Sequence, residues 1–564
     1  MVKPVIFILG VSALPLAQRL KAELHGEIHT PDCMNSGDVS YAKATVHLAK
    51  IFKEGRTIIG LCASGILIRA IAPHLSDKRN EPPVVAVAED GSSAVPLLGG
   101  HHGANTLAQK IAQFTSGHAA ITTASEVRFG GAFDEPDEGY TLANPEDMKS
   151  ATAAKLAGGE VTVEVTERLI KGGATHLVYH PLNLAVGVGC ERGTSREEMA
   201  TLIKNTLKEN NLAIQSVAGY ASIDLKEDEP AISALHNVYF FSAEELNALS
   251  LKLKTPSDYV LAEVGTPGVA EAAALAAAGP DAELIVPKTK SKRATVAIAR
   301  APSPIHAMHG RMRGNIAVVG IGPGSNWTRS QAATHELFMA TDWVGYSLYL
   351  DLISDLKRDQ IEHRFPLGGE EDRVRKAIEL AKQGKHVALV CSGDAGIYAM
   401  AALVYEIVDL EPNRIKVEVI PGISAFQAAA AKAGAMIGHD FCCISLSDLL
   451  TPWEAIEKRV KAAAEGDFVI SFYNPRSMKR RDQLERSFKI LSAHRPPDTP
   501  VIIASNLGRP EENVSIVNFK DFNPDDVDML TLVMVGSSQS KSFVRGDGKT
   551  YAYTPRGYAK KREI

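Results

Sequence analysis

Asn315 to Gly324 reads N-I-A-V-V-G-I-G-P-G. Ile316 to Val319 form an unbroken apolar run, the pattern of a strand buried on both faces of a parallel sheet. The run ends in Gly320-Ile321-Gly322-Pro323-Gly324, a turn of the kind that keeps side chains away from a ligand. A helix is expected after it, with Ser325 or Thr328 as N-cap. The spacing departs from the dinucleotide fingerprint. G-x-G-x-x-G counted from Gly320 requires glycine at position 325, where the chain has Ser325. A nicotinamide-dependent oxidoreductase built on Gly320 to Gly324 stays open as the weaker reading, disfavoured by the missing third glycine.

Toward the carboxyl terminus the chain continues with V-G-Y-S-L-Y-L-D-L-I (344–353), C-S-G-D-A-G-I-Y (391–398), V-I-P-G-I-S-A (419–425), S-L-S-D-L-L (445–450), F-Y-N-P (472–475) and L-T-L-V-M-V-G (530–536). Apolar runs at 387–390 and 468–470 lead into two of these. That places loops at the carboxyl ends of strands, where α/β sheets bind ligands. In this order the motifs closely resemble the tetrapyrrole methylase family, and within it the precorrin-3B C17-methyltransferases of cobalamin synthesis. The resemblance covers residues 315 to 564. It implies a two-lobed α/β fold with S-adenosyl-L-methionine between the lobes, a polycarboxylate tetrapyrrole as substrate, and a homodimer through this half. By the resemblance, the donor is bound by Gly322, Pro323 and Gly324 of the first turn, and by Gly393, Asp394 and Ile397 of S-G-D-A-G-I-Y. Ser424 and Ala425 of P-G-I-S-A, with Tyr473, Asn474 and Thr531, complete the set. Asp394 also has a structural reading, in which its carboxylate closes an Asx-turn on its own loop. Methyl transfer asks the protein to align an electrophilic methyl with a ring carbon and to exclude water, which suits glycine loops better than a triad. The family's C17 reaction also contracts the macrocycle and moves protons, for which Asp448 is the candidate.

Composition bounds the rest. At 564 residues the chain is too long for one core and calls for several domains. A hydrophobic content of 45% with 23% charged residues is that of an ordinary soluble protein. The net charge of −5 argues against a nucleic-acid binder. A substrate rich in carboxylates still asks for a locally basic pocket. Arg476, directly after Y-N-P, heads one basic cluster (476–481), and 288–293 is another; a solvated face is the alternative for each. The six cysteines contain no C-x-x-C pair, so a reducing, cytoplasmic setting is expected and no protein-bound metal. Residues 1–17 read as a strand, a Gly10 turn and a helix from Ser12 through Leu24 rather than as a signal peptide. No apolar run reaches the roughly 20 residues of a membrane span.

The amino-terminal half repeats the grammar of strand, glycine turn and helix. T-I-I-G-L-C-A-S-G-I-L-I-R (57–69) gives a strand, a Ser64-Gly65 turn and a helix, and Val84 to Ala88 a strand ending in Glu89-Asp90-Gly91. P-L-L-G-G-H-H-G-A-N (96–105) precedes a helix expected from Thr106. These stretches resemble the cobalt-precorrin-5A hydrolase family, which opens a δ-lactone on the corrin ring and releases acetaldehyde. His101, His102 and Asp90, with Glu89 beside it, are the candidates to activate water or protonate a leaving oxygen. Histidines that only bond backbone are the alternative. L-A-V-G-V-G-C-E-R-G-T-S-R-E-E-M (184–199) carries a capping-box pattern at Ser195 and Glu198. Arg192 in its loop is suited by its planar fork to a substrate carboxylate.

The domains expected are an amino-terminal α/β domain (1–125), a middle region (126–183), a second α/β domain (184–300), a linker (301–314, with two prolines and two glycines) and the methyltransferase (315–564). The hydrolase half is thus made of small α/β domains, and both halves are expected to carry mostly parallel sheets. By the two resemblances, one half would create the carbon fragment that the other removes. The methylase half resembles the metal-free, oxygen-dependent branch, whereas the hydrolase family acts on cobalt-loaded substrates. A non-catalytic, corrinoid-binding amino-terminal half therefore stays open.

Overall fold

A computed structural model describes residues 3–34, 36–75, 81–100, 103–122, 138–477 and 482–558. Its first sheet is built from β1 (Val5–Ile8), β2 (Glu27–Pro31), β3 (Val39–Tyr41), β4 (Ile58–Leu61), β5 (Val84–Val87), β6 (Ser93–Leu98) and β7 (His118–Ala119), in the order β3-β2-β1-β4-β5-β6-β7. β1 to β5 pair in parallel, and β6 runs antiparallel to β5. Burial on both faces explains the unbroken apolar runs. Ile6 and Ile8 pack with Leu16, Leu20 and Ile111 on one side, and Val5 and Phe7 with Leu48, Ile51 and Leu67 on the other. The strand order reverses between β1 and β4, so the loops after Ile8 and Leu61 flank a switch-point crevice.

A small sheet of β8 (Tyr140–Leu142), β9 (Thr162–Val165) and β10 (His176–Pro181) follows. The next sheet holds β11 (Leu184–Cys190), β12 (Val217–Ile223), β13 (Val238–Phe241), β14 (Glu283–Lys290) and β15 (Ala294–Arg300), in the order β13-β12-β11-β15-β14. The alanine-rich helix Val269–Ala278 lies flush on it. A Cβ at Gly187 of β11 would stand 1.8 Å from Ala270 O. Residues 301–314 run along this domain, with Ile305 N–H donating to Leu182 O and Arg311 bridging to Phe240.

β16 (Asn315–Gly320), β17 (Asp342–Tyr346), β18 (Ile361–Phe365), β19 (His386–Cys391) and β20 (Lys416–Ile420) form an all-parallel sheet, ordered β18-β17-β19-β16-β20. Ile316 to Val319 of β16 are fully buried. The second lobe uses β22 (Phe441–Ser445), β23 (Val469–Tyr473), β24 (Pro500–Ser505), β25 (Asn513–Asn518) and β26 (Thr531–Val535), ordered β22-β23-β26-β24-β25. β21 (Gly434–Ala435), β27 (Lys541–Val544) and β28 (Thr550–Tyr553) make a small sheet beside it. In this five-stranded sheet only β22 and β23 pair in parallel. The expectation of mostly parallel sheets fails there. The connection from β24 to β25 is too short for a crossover helix, and a short connection makes an antiparallel pair.

Local signals landed with small offsets. Ser325 caps only the 3-10 turn Asn326–Thr328; the helix Gln331–Met339 is capped by Ser330. The helix expected from Thr106 begins at Ala104, after Gly103 at φ +89°. The capping box at Ser195 is half made. Ser195 Oγ accepts from Glu198 N–H, but the Glu198 carboxylate accepts from Ser291 Oγ and Arg293 N–H instead of turning back. The first domain meets the methylase half through Arg358 and Glu27 (3.7 Å) and Lys3 and Asp359 (3.9 Å). These residues lie at the amino ends of β1, β2 and β18. Among the described residues no single helix is long and apolar enough to cross a membrane.

Candidate active sites

The loops after β16, β19 and β20 converge at the carboxyl end of their sheet. Gly322 N–H donates to Gly393 O (3.1 Å) and Gly393 N–H to Gly322 O (2.8 Å), which locks the first two loops together. Asp394 joins the third. Its Oδ1 accepts from Gly396 N–H (2.8 Å), closing the Asx-turn, and its Oδ2 accepts from Gly422 N–H (3.0 Å). The loops touch backbone to backbone, because a Cβ at Gly422 would stand 2.1 Å from Gly393 O. Gly393 itself is left-handed, at φ +68°, and its missing Cβ would meet nothing closer than 3.9 Å.

The second lobe supplies the facing wall. The Tyr473 hydroxyl accepts from Phe426 N–H (3.3 Å), and its ring lies 5.2 Å from that of Tyr398. Burial pushes the Tyr473 phenol up, so it stays neutral. Burial also pushes the Cys391 thiol up to about 11, which removes it as a nucleophile near neutral pH. Asn474, at φ +50°, donates from Nδ2 to Ser445 Oγ (3.1 Å). Thr531 Oγ1 donates to Asp528 Oδ1 (2.5 Å).

Between the walls lies a cleft of about 220 Å³. Nine of the eleven residues expected to bind the donor line it, and Gly322 and Gly324 stand behind them in the first turn. Sequence reasoning passed over Tyr349, Tyr398, Asn506, Arg509 and Met529, which also line it. The available signal was N-L-G-R (506–509) after the apolar run of β24, a turn in which Asn506 and Gly508 both take positive φ.

The remaining candidates are already engaged. Asp448 Oδ2 accepts from Gln483 Nε2 (2.8 Å). Arg476 donates to Pro524 O and pairs with Asp525 (2.7 Å), and the end of its basic cluster, 478–481, lies outside the described residues. Arg192 holds carboxylates of its own chain, Asp228 (2.8 Å) and Glu229 (3.3 Å). In the other basic cluster, Arg293 pairs with Glu191 (3.1 Å) and braces the same loop through Gly193 O.

In the first domain, His101 and His102 lie outside the described residues. The adjacent acids divide. The Asp90 carboxylate closes a turn by accepting from Ser92 N–H (2.9 Å), and bonds from the Ser92 hydroxyl and backbone hold it below the usual carboxylate range. Glu89 accepts instead from Ser12 Oγ (2.8 Å), across the carboxyl ends of β1 and β5. Cys62, at the end of β4, is buried; burial and then the Glu89 charge push its thiol up to about 11. On β2 and the helix Ala44–Lys53 of this domain, His29 Nδ1 and His47 Nε2 lie 2.8 Å apart.

In the carboxyl-terminal half, interlocked glycine loops face a second lobe across a cleft whose Tyr473 phenol is held neutral by burial. That is a ligand cleft between two α/β lobes, at the carboxyl ends of the strands of the first. Known proteins agree. The family model Tetrapyrrole (Corrin/Porphyrin) Methylases matches residues 315–523, Cobalamin synthesis G N-terminal matches 46–126, and Cobalamin synthesis G C-terminus matches 184–299. A protein named probable cobalt-factor III C(17)-methyltransferase, from Salmonella typhimurium, is 45% identical over 43% of this chain and 99% of its own. A precorrin-3B C(17)-methyltransferase from Sinorhizobium is 39% identical over 44% of this chain and 98% of its own. The solved methyltransferase CobJ is 39% identical over 43% of this chain and all of its own, with a TM-score of 0.40. The chain spans about half the length of other relatives, among them the cobalt-factor III methyltransferase of Priestia megaterium (46%). The chain belongs to the tetrapyrrole methylase family, with domains of the cobalamin synthesis G type ahead of its methylase domain.

Proposed function

We propose that this chain is a bifunctional enzyme of cobalamin biosynthesis. Its carboxyl-terminal half methylates C17 of a precorrin-3B-type tetrapyrrole with ring contraction, using S-adenosyl-L-methionine. Its amino-terminal half opens the cobalt-precorrin-5A lactone and releases acetaldehyde. The observation that carries the first activity is the open space at Gly393, bounded by three interlocked loops, on the wall of a cleft already lined by the family's donor motifs.

The donor brings an electrophilic methyl on a sulfonium, so the chain has only to bind, orient and shield. Backbone groups at Gly393, Ser424 and Ala425 fit that task because they do not move with rotamers. The Asp394 bridge holds two of the loops in register. Tyr473, Tyr398 and Leu532 supply apolar surface that keeps water from the transfer path. Asp448, oriented by Gln483, is the group to hold or pass the proton of contraction. Arg476 and Arg192 would have to exchange a protein carboxylate for one of the substrate's.

For the hydrolase half the carrying observation is the Ser12–Glu89 pair at the switch point. Glu89 would take a proton from attacking water, with Ser12 orienting its carboxylate. His101 or His102 would protonate the leaving oxygen, and Asp90 would shape the turn. The hydrolase-type domains and the 45% identity to a cobalt-factor III relative favour a cobalt-bound substrate. Cytoplasmic residence and a homodimer through the methylase half complete the reading.

The test incubates the purified chain with S-adenosyl-L-methionine and either cobalt-factor III or precorrin-3B, and follows mass and absorbance. Gain of one methyl with contraction of the cobalt form is expected. Turnover of the metal-free form alone would move the chain to the oxygen-dependent branch, and no methylation of either would remove the assignment.

A further inference from the structure

We propose that Arg509 is the receptor for a ligand carboxylate in the methyl-transfer cleft. The inference rests on the reading of that cleft as the donor and substrate site.

Arg509 sits where the two lobes touch. A Cβ at Gly508 would lie 2.8 Å from Ser325 N, and a Cβ at Gly324 would lie 2.8 Å from Arg509 Cγ. The left-handed turn at Asn506 and Gly508 thus presses this side chain against the first glycine turn and into the cleft wall. Its Nε is buried without a hydrogen-bond partner, and among the described residues the guanidinium makes no ion pair or hydrogen bond.

Nearby acids are spent elsewhere. Glu512, three residues on, gives one oxygen to Lys432 (2.7 Å) and the other to Gly508 N–H (2.6 Å). Asp394, the acid on the cleft wall, bonds Gly396 and Gly422. Arg476, two residues after Asn474 of the cleft wall, is by contrast already paired. A part-buried guanidinium left bare is costly, and its planar fork matches a carboxylate oxygen for oxygen. Two ligands of this cleft carry one: the methionine part of the donor, and the acid side chains of the tetrapyrrole.

The test uses the full chain with Arg509→Met and Arg509→Lys. Calorimetry measures binding of S-adenosylhomocysteine and of 5′-methylthioadenosine, which lacks the carboxylate; kinetics with the tetrapyrrole follow. If the donor's carboxylate is the partner, Arg509→Met weakens S-adenosylhomocysteine roughly 10- to 100-fold and leaves 5′-methylthioadenosine unchanged. If the substrate's carboxylate is the partner, both nucleosides bind as in wild type and the tetrapyrrole KM rises by a similar factor. Either result supports the proposal, with Arg509→Lys recovering part of the loss. Unchanged binding and KM would overturn it. So would equal loss of both nucleosides, which reports a collapsed loop. Failure of the wild type to bind S-adenosylhomocysteine would sink the methyl-transfer reading first and this inference with it.

Discussion

Gly422→Ala would put a methyl carbon 2.1 Å from Gly393 O and 2.6 Å from Gly320 O. Ordinary contacts of a Cβ begin near 3.4 Å, so the loops must part by about 1 Å. Both opposing atoms are backbone oxygens, and no rotamer change relieves them. The movement also strains the 3.0 Å bond from Gly422 N–H to Asp394, which ties the loop to its neighbour. Overpacking of this kind costs about 1–3 kcal/mol of stability. Catalysis suffers more, because a displacement of about 1 Å in a positioning loop lowers rates by about 100-fold. The assay is methyl transfer together with S-adenosylhomocysteine binding, measured well below the unfolding temperature. Gly369→Ala serves as control, since its Cβ would meet nothing nearer than 3.7 Å and it lies outside the cleft. Wild-type binding and turnover in Gly422→Ala would show that the interlocked loops do not shape the donor site.

Asp394→Asn replaces one accepting oxygen with an N–H group facing a backbone N–H; donor affinity is expected to fall about 10- to 100-fold, read by calorimetry. Glu89→Gln should abolish acetaldehyde release and leave methylation intact, whereas Asp90→Asn should cost less than about 10-fold, because its Oδ1 only closes a turn; product analysis of both variants decides between them. His29 is held down to about 4 by burial and then by the neighbouring His47, against an ordinary value of 6.5. Its folded form therefore takes up a proton later than the unfolded chain as pH falls. The stability is complete above about pH 6.5 and is lost toward pH 4, by at most about 3 kcal/mol. Urea midpoints at pH 7.5 and 5 should drop in wild type and stay closer together in His29→Gln.

The parts of the fold legible in the sequence are those set by neighbours in the chain. Runs such as Ile316–Val319 and Val5–Ile8 read as strands because burial on two faces leaves no room for alternation. The glycine loops read as a ligand wall because their spacing is local, although why each glycine is needed emerges only when Gly422 meets Gly393 across 29 residues. Pairings made at a distance were not legible. Arg192 looked free in its loop, but Asp228 and Glu229 reach it from another loop of the same domain, and Asp525 does the same to Arg476. Glu89 and Asp90 are chemically alike in the sequence. They differ in the fold because Ser92 follows one and Ser12 lies across the sheet from the other. Arg509 stood in a plain turn between two strands. Its proposed role depends on two facts that no local pattern carries: the lobes touch at Gly324 and Gly508, and Glu512 turns its carboxylate away. A side chain left unpaired by such distant choices is where a ligand has room to complete the structure.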